Sequence, residues 1–331
     1  MLDLFGTKSQ EIEKDIPREK VTKKYKEIDF DIQVDNVFSL KDKIFSHEDL
    51  LEKLLQRFKK NTLNSSIIFS GNYGIGKATL CYNLAARIIL SLSKDSQVEI
   101  DFLQYNSHPD IYILRGKDGK ISVDDMRRCS EFLSLKPSYN CKFIIIDDIN
   151  MMNHNAMNAL LKNLEEPPKN TFFFIINHRL APVLPTILSR CEKINCQDLD
   201  KKSFIEILSG LIDNEESCEF YYSSSCGSPS SAVILHNLNA KKYYDKIYDL
   251  VKSENMLEIL LLFENINQDL IKNKVSNYLK HHIIDLFFSA FLRLITKLVG
   301  NKVEKNYNNI ISSIARNISN SRKYDIPLIL S

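Results

Sequence analysis

The segment Gly71-Asn-Tyr-Gly74-Ile-Gly76-Lys77 has the form G-x-x-x-x-G-K. Residues of these types in this order can hold phosphate. Glycines let backbone N–H groups converge on phosphate oxygens, a following helix adds about half a positive charge at its N-terminus, and the lysine reaches the β- and γ-phosphates. The hydroxyl that normally follows the lysine and ligates magnesium is absent: position 78 is Ala, and Thr79 comes one residue late. One helix position turns a side chain by about 100°, so Thr79 does not simply stand in. A second group is the pair Asp147-Asp148, directly after Lys-Phe-Ile-Ile-Ile. At the end of a buried strand, the first acid can hold magnesium through water and the second can polarise an attacking water. Asp148 is one methylene shorter than the glutamate usual in that place, and positioning at the ångström scale affects rate. A purely structural loop, and acids that only cap a turn, are the competing readings of these two groups.

The surrounding pattern predicts the elements that must position these residues. Ser66 to Phe69 is a short apolar run stopped by Gly71, as suits a buried parallel strand. A glycine turn and a helix through Leu80, Leu84, Ala85 and Ile88 follow. Further strands are expected at Asp110–Leu114, Lys142–Ile146 and Thr171–Ile176. Helices are expected over Val37–Lys59, Ser122–Leu133 and Asn155–Leu164, the last stopped by Pro167-Pro168. Alternation of short strands and helices predicts an α/β fold, a parallel sheet with helices on both faces. After about Cys196 the strand signals stop. Residues 197–240 read as a small helical lid broken near Gly227-Ser228-Pro229, and 241–331 as an all-α domain. Residues 1–36 read as a charged N-terminal extension and 37–196 as the α/β core. Lys20, Lys23, Lys24 and Lys26 in the extension read as a solvated charge run rather than a nucleic-acid contact.

Composition narrows the classes. The 331 residues carry 44 basic and 42 acidic side chains, a net charge of +2, so the surface as a whole is not that of a polycation. With 44% hydrophobic residues, disorder over most of the chain is excluded. Only 9 Gly and 9 Pro point to a helix-rich chain. The seven cysteines include no C-x-x-C pair, which argues against a disulfide framework or a thiolate zinc site and suits a reduced, cytoplasmic compartment. The first residues lack the apolar core of a signal peptide. The apolar stretch from Ile283 to Val299 is interrupted by Asp285, Arg293 and Lys297, so a buried helix rather than a membrane span is expected.

A more specific pattern follows the acidic pair. Asn158-Ala-Leu-Leu-Lys-Asn-Leu-Glu165-Glu166-Pro-Pro168 precedes a strand and then Leu184-Pro-Thr-Ile-Leu-Ser189-Arg190-Cys191. This order resembles bacterial clamp-loader subunits of the AAA+ superfamily, for which Ser-Arg-Cys is a signature. Gly74-Ile-Gly-Lys-Ala-Thr-Leu80, Ser107-His-Pro-Asp110 and Asp147-Asp-Ile-Asn-Met-Met-Asn153 are most similar to the delta-prime branch of DNA polymerase III subunits. The resemblance covers about residues 45–195.

The resemblance implies an AAA+ P-loop core, a helical lid and a C-terminal helical collar that joins subunits into a hetero-oligomeric ring. It implies gamma/tau motor and delta subunits, a sliding clamp and primed DNA as partners, and no membrane. Arg190 would then act in trans, on the nucleotide of a neighbouring subunit. A guanidinium suits that role, being always charged and spreading its donors over phosphate oxygens. In the chain's own site, Gly71, Gly74, Gly76, Lys77, Thr79 and Asp147 would hold nucleotide and magnesium, with Asp148 as a degenerate second acid. Asn177 falls at the family's first sensor position, where a strand-end cap is an equal reading. Ala78 and Asp148 weaken this site. Ser231 stands where motor subunits carry a sensor arginine. Binding of ATP with magnesium is thus left open, efficient hydrolysis is not expected, and an active motor of the same loader is the alternative. Residues 91–107 contain no cysteine, so the zinc module of many relatives is not expected. His108, between a turn and a strand, reads as a turn residue rather than a base.

Overall fold

The computed structural model describes residues 41, 44, 47–93, 96–104, 106–116, 120–178, 183–209, 215–253, 256–272 and 277–299. The N-terminal extension, with Lys20, Lys23, Lys24 and Lys26, and the part of the predicted collar from 300 to 331 lie outside them.

Five strands form one parallel sheet in the order β2-β3-β4-β1-β5: β1 (Ser66–Gly71), β2 (Ile111–Arg115), β3 (Lys142–Asp147), β4 (Thr171–His178) and β5 (Glu192–Asn195). The apolar runs form strands because both faces of the sheet are covered. Successive side chains on a strand point to opposite faces, and the core divides accordingly. Ile67, Phe69, Phe143, Ile145, Phe174 and Ile176 belong to one cluster, with Leu80, Leu84 and Ile88 of α2 (Lys77–Leu92). Ile68, Ile144, Ile146, Phe173 and Ile175 belong to the other, with Met126 of α4 (Val123–Ser134) and Ala156 and Leu160 of α5 (His154–Glu165). Each fully buried Ile or Phe contributes roughly 1.5–3 kcal/mol, so the central strands anchor everything attached to their ends.

Local signals set the helix boundaries. Before α2, α1 spans Glu48–Lys59; of the predicted Val37–Lys59 helix, Lys41, Ile44 and His47 are not helical and the other residues before Glu48 lie outside the described residues. Ser122 and Asp125 form a reciprocal capping box at the start of α4, and Asn153 Oδ1 accepts from Ala156 N at 2.8 Å to start α5. Two elements were not expected from the sequence. One is α3 (Ser96–Gln104); the other is β5, a four-residue strand of alternating burial. The strand pairs with β1 and is pinned when Arg57 of α1 donates to both carboxylate oxygens of Glu192, at 2.6 and 2.7 Å.

Beyond the sheet come a short α6 (Pro185–Leu188), then α7 (Lys201–Leu208), α8 (Glu215–Ser224) and α9 (Pro229–Asn237), then α10 (Lys241–Lys252), α11 (Met256–Lys272) and α12 (Asn277–Val299). The first of the two sheet clusters continues without a break through Phe204 and Leu235 to Ile247, Ile259 and Phe287. Lid, collar and the α2 face of the sheet therefore share one apolar core. Among the described residues no helix is long and apolar enough to cross a membrane.

Candidate functional site

The phosphate loop runs from the end of β1 into α2. Gly74 and Gly76 have φ of +73° and +91°, a region that costs side-chain-bearing residues about 1–2 kcal/mol. Gly71 is required for a different reason: a Cβ there would lie 2.8 Å from the carbonyl oxygen of Cys196, just past β5. Lys77, 2% exposed, turns its ammonium back onto the loop and donates to the carbonyls of Gly71 at 2.9 Å and Asn72 at 2.5 Å. Burial lowers its pKa to about 8, against the attraction of Asp148, Asp147 and two buried cysteines. Buried His47, at the start of α1, donates from Nε2 to the carbonyl of Ile75 at 2.9 Å and braces the loop from the other side. Ala78 offers no hydroxyl, and Thr79 lies in the first turn of α2, where its carbonyl accepts from Asn83 at 2.9 Å.

The acidic pair lies at the end of β3. Asp147 is pushed up to about pKa 6, first by burial and then by Asp148, with Arg115 and Lys77 opposing. Arg115, at the end of neighbouring β2, brings Nε to 3.6 Å from Asp147 Oδ2. A cation thus already faces this carboxylate. Asp148 is buried with φ of +72°, and its Oδ1 accepts from the backbone N of Asn150 at 3.0 Å and from Asn150 Nδ2 at 2.9 Å. It caps the 3-10 turn Ile149–Met151. Asn150 Nδ2 also donates to Asn177 Oδ1 at 3.0 Å, and Asn177 Nδ2 lies 3.5 Å from Ser70 Oγ. Asp148, Asn150, Asn177 and Ser70 thus form a hydrogen-bonded chain across the ends of β3, β4 and β1.

The lid closes over this end of the sheet. Ser228 caps α9, and a methyl group placed on Gly74 would meet Ser228 Oγ at 2.5 Å and Cβ of Ser230 at 2.7 Å. Ser231, fully buried, is hydrogen-bonded to Ser228 Oγ at 2.8 Å and to His282 Nε2 of α12 at 2.8 Å. The His282 ring lies 4.6 Å from that of Tyr73, which in turn meets His178 edge-on at 5.1 Å. Burial, Lys77 and His282 hold the His178 pKa well below its ordinary value.

Arg190 lies elsewhere. Parallel pairing sets Glu192 opposite Ile67, while the phosphate loop begins four residues further along β1 at Gly71. At about 3.3 Å per residue that is roughly 13 Å, and Arg190 precedes Glu192. Its guanidinium donates to the carbonyl of Thr186 at 2.8 Å, to Ser189 Oγ at 3.1 Å and to Glu165 Oε1 at 2.6 Å. Its side chain is still 34% exposed. Gly71, Gly74, Gly76, Lys77, Thr79, Asp147, Asp148 and Asn177 thus gather at the C-terminal ends of the strands, and Arg190 sits toward their N-terminal ends. His108 fills a turn: it pairs with Glu99 at 2.7 Å through Nε2, and its Nδ1 accepts from Asp110 N at 3.0 Å. Among the described residues no group of three or more His, Cys, Asp or Glu side chains is placed to hold a metal.

Sequence reasoning missed His47, Arg115, Asn150 and the Tyr73–His282 contact. A histidine just before the first periodic helix marks His47, and Arg115 ends an apolar run as Asp147 does. Nothing local marks His282.

Residues 46–200 match the family model described as "DNA polymerase III, delta subunit". Subunit delta-prime of DNA polymerase III from Pseudomonas aeruginosa is 30% identical over 192 residues, covering 55% of this chain and 58% of that one, so the match spans little more than half the length of that relative. The delta-prime subunit from Buchnera aphidicola subsp. Acyrthosiphon pisum is 26% identical over 222 residues, covering 63% and 68%. A DNA polymerase III gamma subunit from Buchnera aphidicola subsp. Schizaphis graminum is 23% identical over 325 residues and covers 86% of each chain. Residues 46–200 are thus similar to delta-prime subunits of DNA polymerase III over a little less than half of this chain.

Proposed function

We propose that the chain is a delta-prime-type subunit of a clamp loader, which helps place a sliding clamp on primed DNA during replication in the cytoplasm. In this reading it lends Arg190 to the nucleotide of a neighbouring gamma/tau-type subunit in a hetero-oligomeric ring that includes a delta subunit, and turns over little or no ATP itself. The position of Arg190 carries the proposal. It lies roughly 13 Å or more along the sheet from the chain's own phosphate loop. It is anchored by Glu165 and the Thr186 carbonyl yet open to solvent. A guanidinium held that way has no work to do on its own nucleotide and suits a phosphate presented by another chain.

The state of the loop supports the second half of the reading. The residues present suit a polyphosphate better than they suit its metal. Three glycines and Lys77 can cradle phosphate, and their contribution would be to orient it. Magnesium would need a hydroxyl where Ala78 stands and a free carboxylate where Asp147 faces Arg115. Asp148 serves as a cap rather than as a base, and Ser231 has no cation to offer a γ-phosphate. The reading as an active motor has two points in its favour, the retained Lys77 and the long match to a gamma subunit.

The test is Arg190→Ala in a loader assembled with its motor partners. Clamp- and DNA-stimulated ATP hydrolysis should fall while the complex stays intact by gel filtration. An unchanged rate in an intact complex would sink the trans assignment. Hydrolysis by the chain alone that Lys77→Ala removes would instead favour the motor reading.

A further inference from the structure

We infer that the collar helix α12 acts as a lock on the phosphate loop, so that the loop accepts the polyphosphate of a nucleoside triphosphate only when α12 withdraws. The inference rests on the reading of the chain as a subunit that does not itself turn over ATP, and it gives that silence a structural cause beyond the missing hydroxyl at position 78.

Three elements far apart in sequence meet at one point. The lid contributes Ser228 and Ser231, the loop contributes Tyr73 and Gly74, and the collar contributes His282. The hydroxyl of Ser228 and the Cβ of Ser230 stand 2.5 and 2.7 Å from where a methyl group on Gly74 would go, and Ser230 N donates to the Gly74 carbonyl at 3.5 Å, so the lid packs directly on the middle of the loop. His282 touches both halves of that contact at neighbouring positions. Its Nε2 is hydrogen-bonded to Ser231 Oγ at 2.8 Å, and Ser231 Oγ is bonded in turn to Ser228 Oγ at 2.8 Å. Its ring rests 4.6 Å from that of Tyr73, the residue before Gly74. Tyr73 also meets His178 at the end of β4. His282 is thus a cross-brace. If α12 shifts, the lid loses a hydrogen bond and the loop loses a ring contact together.

Beneath this brace the lysine of the loop and three of its carbonyls are already paired. Lys77 donates to the carbonyls of Gly71 and Asn72, and His47 donates to that of Ile75. In the proposed lock, a polyphosphate draws Lys77 away from two carbonyls and is admitted when the lid lifts from Gly74. The brace is built from one buried hydrogen bond and one ring contact, each of which contributes several-fold to an equilibrium constant. Breaking both raises the open population by about tenfold or more.

The experiment uses the full chain and titrates trinitrophenyl-ATP by fluorescence, with hydrogen exchange of residues 71–79 measured beside it. The wild type should show weak or no saturable binding. His282→Ala should bind at least about tenfold more tightly and exchange the loop amides at least about tenfold faster. His282→Phe keeps a ring against Tyr73 but loses the bond to Ser231, and should fall between the two. It also serves as the second variant if the alanine change prevents folding. Folded variants that neither bind nor exchange faster than wild type overturn the lock and leave the proposed function standing. Magnesium-dependent hydrolysis by the wild-type chain alone overturns the proposed function, and the lock with it.

Discussion

The two ends of the strands in one sheet treat their cations in opposite ways. At the C-terminal ends, Lys77 is buried and turned onto its own loop, Asp147 faces Arg115, and the lid rests on Gly74. Toward the N-terminal ends, Arg190 is gripped by Glu165 and α6 yet left partly in solvent. Both residues are cations fixed by oxygen acceptors. One is sealed inside the chain and the other is offered outward. A phosphate-binding motif in a sequence therefore does not say which phosphate a chain serves. In the proposed reading, burial and the direction in which each cation is held decide that.

The sharpest way to break the closed end is Gly74→Ala. The φ of +73° costs about 1–2 kcal/mol for a side-chain-bearing residue, and the lid atoms at 2.5 and 2.7 Å must move, for about 1–3 kcal/mol more. Chemical denaturation should register the loss, and faster proteolysis of the lid should accompany it. An unchanged midpoint would show that the lid does not rest on the loop.

Asp147→Asn probes the same end through pH. The carboxyl is raised from its ordinary 3.8 to about 6, so the folded state favours the protonated form. Below about pH 4 both states are protonated and burial of the group carries no penalty. Between about pH 4 and 6 the unfolded state ionises first, and above 6 the folded state must hold a largely buried carboxylate, a cost of up to about 3 kcal/mol. The asparagine variant should be more stable than wild type at pH 8 by up to that amount and equal to it near pH 4. A difference of the same size at both pH values would remove the electrostatic explanation.

The open end should respond less. Glu165→Ala removes a partner that is itself half exposed, and such pairs contribute about 0–1 kcal/mol. Stability should barely change, while hydrolysis by the assembled loader falls a few-fold because Arg190 is no longer held in one direction. A fall as large as that from Arg190→Ala would mean that Glu165 does more than orient it.

Much of the closed end was legible in the sequence. The runs at Ser66, Lys142 and Thr171 are apolar enough to require burial on both faces, and the glycines between a strand and a helix permit few other readings. Less legible was what the site had become. That Asp148 caps a 3-10 turn depends on a backbone at φ of +72°, which no neighbour in sequence dictates. Strand β5 is four residues of alternating burial, held by pairing with β1 and by Arg57, contacts that exist only once the chain is folded. The brace at His282 is the extreme case, since it joins residues 73, 231 and 282 through tertiary packing alone. Arg190 could be picked out by its Ser-Arg-Cys context, but its distance from the loop follows only from the register of β5 on β1.

The contrast between the two ends is tested most directly by comparing Lys77→Ala and Arg190→Ala side by side in the assembled loader, with ATP hydrolysis per neighbouring motor site as the readout. The account predicts that Lys77→Ala stays within about twofold of wild type. Arg190→Ala should cost that one site a factor on the order of 10³, as arginine fingers do in related phosphoryl transfers. The reverse ranking, with Lys77→Ala abolishing turnover and Arg190→Ala leaving it intact, would contradict it.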